Sequence, residues 1–259
     1  MRFEDVLYEK NGGVARIVIN RPQSYNALTT NTMKEMVEAL QDAEFDSAIG
    51  VVVITGTGDK AFCTGGDLRE SAQSGGYSKG NEYWHGALHG AIRDIPKVVI
   101  AAVNGYAIGG GNILQLICDL TIASETAKFG QAGPRVGSFD AGLGASYLAR
   151  LVGEKKAREI WFLCRQYTAQ EALGMGLVNK VVSPEKLGEE VDTWCQEILS
   201  LSPTALKFCK LAFNAETEHM LGFEAWSHAA VRMYWATQEA EEAKKAFKEK
   251  RKADFSKFR

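Results

Sequence analysis

The sequence predicts a layered α/β fold that is followed by a helical C-terminal region. Strand-like and helix-like segments alternate through the first half of the 259-residue chain, which is typical of layered α/β proteins. Two glycine clusters each follow a buried strand at the point where a helix begins. From residue 183 onward, helical patterns follow one another and no strand pattern returns.

Four strands are predicted from short apolar runs with turn signals at their ends. Residues 14–20 alternate apolar and polar positions, as a half-buried strand does, and Pro22 ends the segment. Buried strands are predicted at 51–55, 98–103 and 120–123.

Apolar side chains recur at helical spacing between and after these strands. Residues 30–45 form the first predicted helix, with Thr30 or Asn31 as its cap, and a second helix opens at the glycines before residue 113 and runs to 117. The C-terminal helices are predicted at 185–199, 203–213, 222–235 and 239–252. We therefore predict an α/β core over residues 1–190 and a helical region over 191–259 that packs on the core or assembles subunits.

Composition excludes several classes of protein. The chain is 46% apolar and 24% charged, which is typical of a globular protein and not of a disordered one. It has 30 basic and 32 acidic side chains and a net charge of −2, so no basic field predicts a nucleic-acid or membrane partner. The longest apolar run near the middle, residues 98–103, is far shorter than the roughly 20 residues of a membrane span.

Cysteine usage and the N-terminal segment predict a cytoplasmic location. The five cysteines are odd in number and form no C-x-x-C pair, which favours a reducing compartment. The segment MRFEDVLYEK carries acidic residues where a signal peptide has an apolar stretch.

The two glycine clusters are the first candidate site. FCTGGD occupies residues 62–67 and GYAIGGG occupies residues 105–111. Each can aim unpaired backbone N–H groups at one point, and two such groups that converge on a carbonyl oxygen form an oxyanion hole. The alternative is that both clusters are only tight turns.

These clusters resemble those of the crotonase (enoyl-CoA hydratase/isomerase) superfamily. N-R-P-x-x-x-N-A-L at residues 20–28 and CDLTIA at 118–123 match it as well, and the resemblance covers essentially the whole chain. It implies a spiral of ββα units with a C-terminal helical region, assembled as a homotrimer or homohexamer. It also implies that the N–H groups of Gly66 and Gly110 hold the thioester carbonyl of an acyl-CoA, so that coenzyme A enters as part of the substrate and no cofactor is tightly bound.

Two residues depart from the hydratase pattern. The hydratases of this superfamily use two glutamates as acid and base, and the matching positions here are Ile113 and Gly133. Neither side chain can transfer a proton. A hydratase mechanism of that type is therefore not expected.

Residues 129–167 resemble two branches of the superfamily that act on rings. One is 2-ketocyclohexanecarboxyl-CoA hydrolase, which opens a ring, and the other is 1,4-dihydroxy-2-naphthoyl-CoA synthase, which closes one. The resemblance implies a bicarbonate ion held as base by Gln131, Gly133 and Trp161. Trp161 alone would be interpreted as a core residue.

The same resemblance implies roles for further residues. Ser138 and Asp140 match a polar pair near the reacting carbon, with Asp140 as an alternative base, and Tyr234 or Trp235 matches a C-terminal tyrosine that enters a neighbouring site. Ser138 and Asp140 could instead be an ordinary loop at a helix start. The remaining substrate or CoA contacts are predicted at Tyr25, Ala27, Thr64, Gly65, Asp67, Leu68, Tyr77, Tyr106, Ile108, Gly109, Ala132 and Lys250.

A metal site is not predicted. His85 and His89 are four residues apart on a probable helix, but no third ligand is evident in the sequence. The basic tail after residue 244 lacks aromatic side chains arranged for stacking bases, so Lys250 is assigned to CoA and not to RNA.

These observations predict an enzyme that hydrolytically opens a cyclic β-oxoacyl-CoA. The short N-terminal segment and the AIRDIPK segment at 91–97 favour the ring-opening branch. The ring-closing synthase is the first alternative. A non-hydratase isomerase and a non-catalytic CoA- or RNA-binding protein are the others.

Overall fold

The computed structural model describes residues 2–73, 79–139 and 143–259, and it confirms the mixed α/β class with a C-terminal helical region. Ten strands lie in the described residues: β1 (Val6–Asn11), β2 (Val14–Ile19), β3 (Val51–Gly56), β4 (Ala61–Cys63), β5 (Val98–Val103), β6 (Tyr106–Ile108), β7 (Leu120–Ser124), β8 (Lys128–Gly130), β9 (Gln166–Thr168) and β10 (Lys180–Val182).

The strands form two sheets. The six-stranded sheet has the order β1-β2-β3-β5-β7-β10, and all its pairs are parallel except β1 with β2. The four-stranded sheet has the order β4-β6-β8-β9, in which β4, β6 and β8 run parallel and β9 is antiparallel to β8.

The helices are α1 (Thr30–Phe45), α2 (Leu68–Gln73), α3 (Lys79–Asp94), α4 (Gly110–Ile117), α5 (Gly133–Val136), α6 (Leu143–Val152), α7 (Glu154–Leu163), α8 (Ala169–Gly174), α9 (Leu187–Leu199), α10 (Pro203–Ala215), α11 (Leu221–Trp235) and α12 (Gln238–Lys248). Short 3-10 turns lie at Pro22–Ser24, Pro184–Lys186, Glu218–Met220 and Ser256–Phe258. Across these ranges, no helix combines the length and the apolar character that crossing a bilayer requires.

The N-cap of α1 and the C-terminal end of α12 differ from their predictions. The cap of α1 is Thr29, one residue before the predicted pair, and Thr29 and Thr32 exchange reciprocal side-chain and backbone hydrogen bonds. Helix α12 ends at Lys248 and not at residue 252, because Lys250 adopts a left-handed φ of 54°. The N–H groups of Lys250 and Arg251 then donate to the carbonyls of Phe247 and Ala246, which closes the helix.

Both faces of the six-stranded sheet are buried, which explains the continuous apolar runs of β3 and β5. On one face, Ile54 and Val99 pack with Met36 of α1 in the larger core. On the other face, Val53 and Ile100 pack with buried side chains of α9. The predicted boundary at residue 190 therefore falls inside a helix that belongs to the core.

Candidate active site

Two glycine turns lie in contact at the carboxyl ends of the neighbouring parallel strands β4 and β6. Gly65 has a φ of 84° and Gly109 a φ of 59°, a region that favours glycine. A Cβ atom on Gly65 would lie 2.7 Å from the nitrogen of Gly110, and one on Gly110 would lie 3.2 Å from the Cα of Gly65. Only glycine allows the two backbones to come this close.

The N–H groups of Gly66 and Gly110 are available to a ligand. The pairing of Leu28 with this loop uses the carbonyl of Gly65 and the N–H of Asp67, and it leaves the N–H of Gly66 unused. Gly110 is the first residue of α4, so its N–H has no carbonyl within the helix. Within the described ranges no backbone carbonyl accepts from either N–H group.

Residues of the N-R-P-x-x-x-N-A-L segment hold these turns in place. Arg21 pairs with the buried Asp67 at 3.0 Å and donates to the carbonyl of Ala27. The side chain of Asn26, fully buried, donates to the carbonyls of Thr57 and Ala61 at 3.0 and 2.7 Å. Sequence reasoning named Asp67 as a substrate contact, but its carboxylate is used to fix the loop.

Asp67 is held ionised by these contacts. Burial raises its pKa, but the N–H of Arg69 and the Arg21 guanidinium outweigh burial and leave the pKa of Asp67 below its ordinary value. The carboxylate also lies at the start of α2, where it caps the helix.

A cavity of about 550 Å³ opens beside the glycine turns. It is lined by fifteen of the predicted site residues: Tyr25, Ala27, Thr64, Gly65, Gly66, Asp67, Leu68, Gly109, Gly110, Gln131, Ala132, Gly133, Ser138, Trp161 and Trp235.

Six predicted residues are not placed in the cavity wall. Tyr106 and Ile108 lie on β6, and Lys250 is exposed beyond α12. Tyr234 packs its ring against Phe139, with ring centroids 5.6 Å apart. Tyr77 and Asp140 lie outside the described residues.

The cavity wall is apolar where the hydratases carry their first glutamate. Ile113 of α4 is buried and lines the cavity. At the second position, a Cβ on Gly133 would lie 2.8 Å from the carbonyl oxygen of Ser138 and 3.0 Å from the Cα of Phe139. Backbone therefore fills the volume that a side chain at residue 133 would need.

The predicted bicarbonate site does not fit this geometry. Gln131 fits, because both polar atoms of its buried side chain lack a hydrogen-bond partner among the described residues. The Trp161 indole N–H, however, donates to the carbonyl of Gly144 at 3.0 Å, so this donor is already used within the chain. We therefore derive no step through bicarbonate.

Trp235 lines the cavity of its own chain, whereas the resemblance implied entry into a neighbouring site. Its ring lies 4.3 Å from the Lys244 ammonium, a cation–π contact that ties the end of α11 to α12. The C-terminal helices thus form one wall of the site within a single chain.

Sequence reasoning missed a polar cluster in the same cavity. His85 and His89 of α3 meet Glu224 and His228 of α11 there. Burial, and to a smaller extent the nearby His89 and His228, lowers the pKa of His85 well below its ordinary value. The imidazole of His85 is therefore neutral at pH 7. A third possible metal ligand, which the sequence analysis did not find beside His85 and His89, is therefore present. The only sign of it in the sequence is that Glu224 and His228 are four residues apart on a helix.

Comparison with known proteins agrees with the fold. The family model described as enoyl-CoA hydratase/isomerase matches residues 9–258. An enoyl-CoA hydratase from Mycobacterium avium subsp. paratuberculosis K-10 is 30% identical, with a TM-score of 0.86 over 98% of this chain and 99% of that one. An enoyl-CoA hydratase/isomerase from Pseudoalteromonas atlantica T6c is 28% identical, with a TM-score of 0.88 over 97% and 100%.

A further enoyl-CoA hydratase/isomerase, from Xanthobacter autotrophicus Py2, is 32% identical, with a TM-score of 0.83 over 96% of this chain and 93% of that one. The chain therefore belongs to the enoyl-CoA hydratase/isomerase family, the crotonase superfamily of acyl-CoA enzymes.

Proposed function

We propose that the chain hydrolytically opens the ring of a cyclic β-oxoacyl-CoA, such as 2-oxocyclohexane-1-carboxyl-CoA. One observation carries the proposal: the cavity has two backbone N–H donors but an apolar side chain at the position of the first hydratase glutamate. Gly66 and Gly110 supply donors for an enolate oxygen, while Ile113 supplies no proton to a double bond.

The reaction begins with water at the ring ketone. The water oxygen adds to the ketone carbon and gives up a proton, and the bond between this carbon and the α-carbon then breaks. The electron pair of that bond passes to the thioester group, which becomes an enolate. The enolate oxygen accepts hydrogen bonds from the N–H groups of Gly66 and Gly110. The proton that was taken from water then adds to the α-carbon, and the product is an open-chain dicarboxylic acid mono-CoA ester.

Two polar side chains are assigned roles beside the glycine pair. Ser138 lines the cavity, and its hydroxyl donates to the ketone oxygen. Asp140 accepts the proton from water, an assignment that rests on its place in the sequence. Tyr234 is given no role, because its ring packs on Phe139 outside the cavity wall.

The proposal is tested by incubating the enzyme with 2-oxocyclohexane-1-carboxyl-CoA and analysing the product by mass spectrometry. A product that is heavier by one water supports ring opening. Crotonyl-CoA, a hydratase substrate, is the control and is expected to stay unchanged. Rapid hydration of crotonyl-CoA would overturn the proposal.

Ring closure is the second outcome that this experiment separates. Unchanged cyclic substrate, together with loss of water from o-succinylbenzoyl-CoA, would assign the chain to the synthase branch. We place the reaction in a reducing compartment such as the cytoplasm, which is supported by the five free cysteines.

A further inference from the structure

Four polar side chains from two helices meet in the wall of the cavity. His85 and His89 lie one turn apart on α3, and Glu224 and His228 lie one turn apart on α11. Residues four apart share a helix face, so each helix presents its pair toward the other. The ring of His85 lies 4.2 Å from that of His89 and 5.5 Å from that of His228, measured between centroids.

Three of these side chains have the spacing of metal ligands. One ligand atom each from His85, Glu224 and His228 lies within 4.8 Å of the others. Tetrahedral coordination at bond lengths of about 2.0–2.1 Å separates ligand atoms by roughly 3.4 Å. Binding an ion would therefore draw the three ligand atoms closer together than they lie in the structure.

A second observation also points to a ligand. The Nδ1 atom of His85 is buried and has no hydrogen-bond partner in the part of the chain that the structure describes. A buried polar atom without a partner destabilises the folded chain, and coordination to a bound ion would remove that penalty.

His89 completes the arrangement from outside. Its Nδ1 lies 2.6 Å from Oε1 of Glu224, and both side chains are largely buried. This contact fixes the orientation of the Glu224 carboxylate and leaves its Oε2 atom for an ion. Residues that hydrogen-bond to metal ligands commonly orient them in this way.

We infer that His85, Glu224 and His228 bind a divalent transition-metal ion of the Zn²⁺ class, with His89 positioning Glu224. Two imidazoles and one carboxylate suit Zn²⁺ or Co²⁺ better than Mg²⁺ or Ca²⁺, which prefer oxygen ligands. Three protein ligands would leave one coordination position for water or substrate, and all three residues line the cavity that Gly66 and Gly110 also line. This inference stands independently of the ring-opening proposal.

The test is a titration of the untagged, chelator-treated chain with Co²⁺ followed by visible absorption, and with Zn²⁺ followed by calorimetry. We expect one ion per chain and the intense visible bands of tetrahedral Co²⁺. His228→Ala and Glu224→Gln are each expected to weaken Zn²⁺ binding by at least 100-fold. His89→Gln is expected to weaken it by about 10–100-fold.

His219→Ala is the matched control, because His219 is exposed and lies outside this cluster. It should leave binding unchanged. A wild-type chain that gives no tetrahedral Co²⁺ spectrum would overturn the inference without reference to any variant. Equal weakening by His219→Ala would overturn it as well, and neither result bears on ring opening.

Discussion

At the scale of single residues, the proposed stabilisation of the enolate rests on the backbone N–H groups of Gly66 and Gly110. The two positions tolerate change differently. A Cβ on Gly110 would press on Gly65, whereas a Cβ on Gly66 would have nothing within 4 Å. Gly66 is therefore the position where the N–H can be removed with little other disturbance.

We expect Gly66→Pro to lower kcat by about 10²–10³-fold, because proline has no N–H to donate to the enolate oxygen. Gly66→Ala is the control, since it adds a Cβ in open space and keeps the N–H. It should retain kcat within a few fold. Steady-state kinetics with the acyl-CoA substrate measure both, and an equal loss in the two variants would show that the N–H is not the cause.

The sequence predicts the glycine pair but not the neighbouring histidine cluster, and the reason is physical. The glycines follow strands, so local order along the chain already places them. Glu224 and His228 reach His85 only through the packing of α11 over the cavity, which local spacing does not encode. The hydrogen bond from the Trp161 indole N–H to the carbonyl of Gly144 was missed for the same reason, because sequence patterns do not position that carbonyl.

At the scale of elements, one buried lysine helps to attach α10 to the core. Lys210 Nζ pairs with Asp119 at 2.7 Å and donates to the carbonyls of Ile92 and Lys97. The Asp119 carboxylate in turn accepts a hydrogen bond from the N–H of Val99 at the start of β5. This network joins the C-terminal helical region to the central sheet.

We expect Lys210→Met to reduce the free energy of unfolding by about 3 kcal/mol, because it leaves the Asp119 carboxylate without its cation. Lys207→Met on the same helix is the control, since Lys207 is exposed. Urea unfolding measures both. A loss below 1 kcal/mol for Lys210→Met would show that the pair does not hold α10.

Several long elements were predictable from the sequence, whereas the three-residue strands of the smaller sheet were not. The bounds of α1 and β5 agree with the prediction, because sixteen and six residues are enough to show a period or a buried run. Strands β4, β6, β8 and β9 have three residues each, too few for any period, and pairing with neighbours defines them.

At the scale of the whole molecule, large apolar side chains are exposed on α10 and α11. They are Phe208, Leu211, Phe213, Phe223, Trp226 and Met233. Exposed apolar groups at this density mark contact surfaces between proteins. These side chains lie in the helical region that was predicted to join copies of the chain.

We expect light scattering on a sizing column to give the mass of a trimer or hexamer of the 28.3 kDa chain. Phe208→Asp should shift the population to smaller species, because it places a charge in an apolar interface. Phe45→Asp is the control, since Phe45 is highly exposed on α1, far along the chain from these helices. A wild-type monomer would contradict the prediction.

The contribution of α11 to the cavity wall has a consequence for biosynthesis. Residues 221–235 leave the ribosome long after the glycine turns, and N-terminal segments begin to fold first. The nascent chain therefore passes through a stage in which the oxyanion glycines are present but Trp235 and His228 have not yet covered them. We therefore expect that a translating chain cannot form the complete cavity until its synthesis is nearly finished.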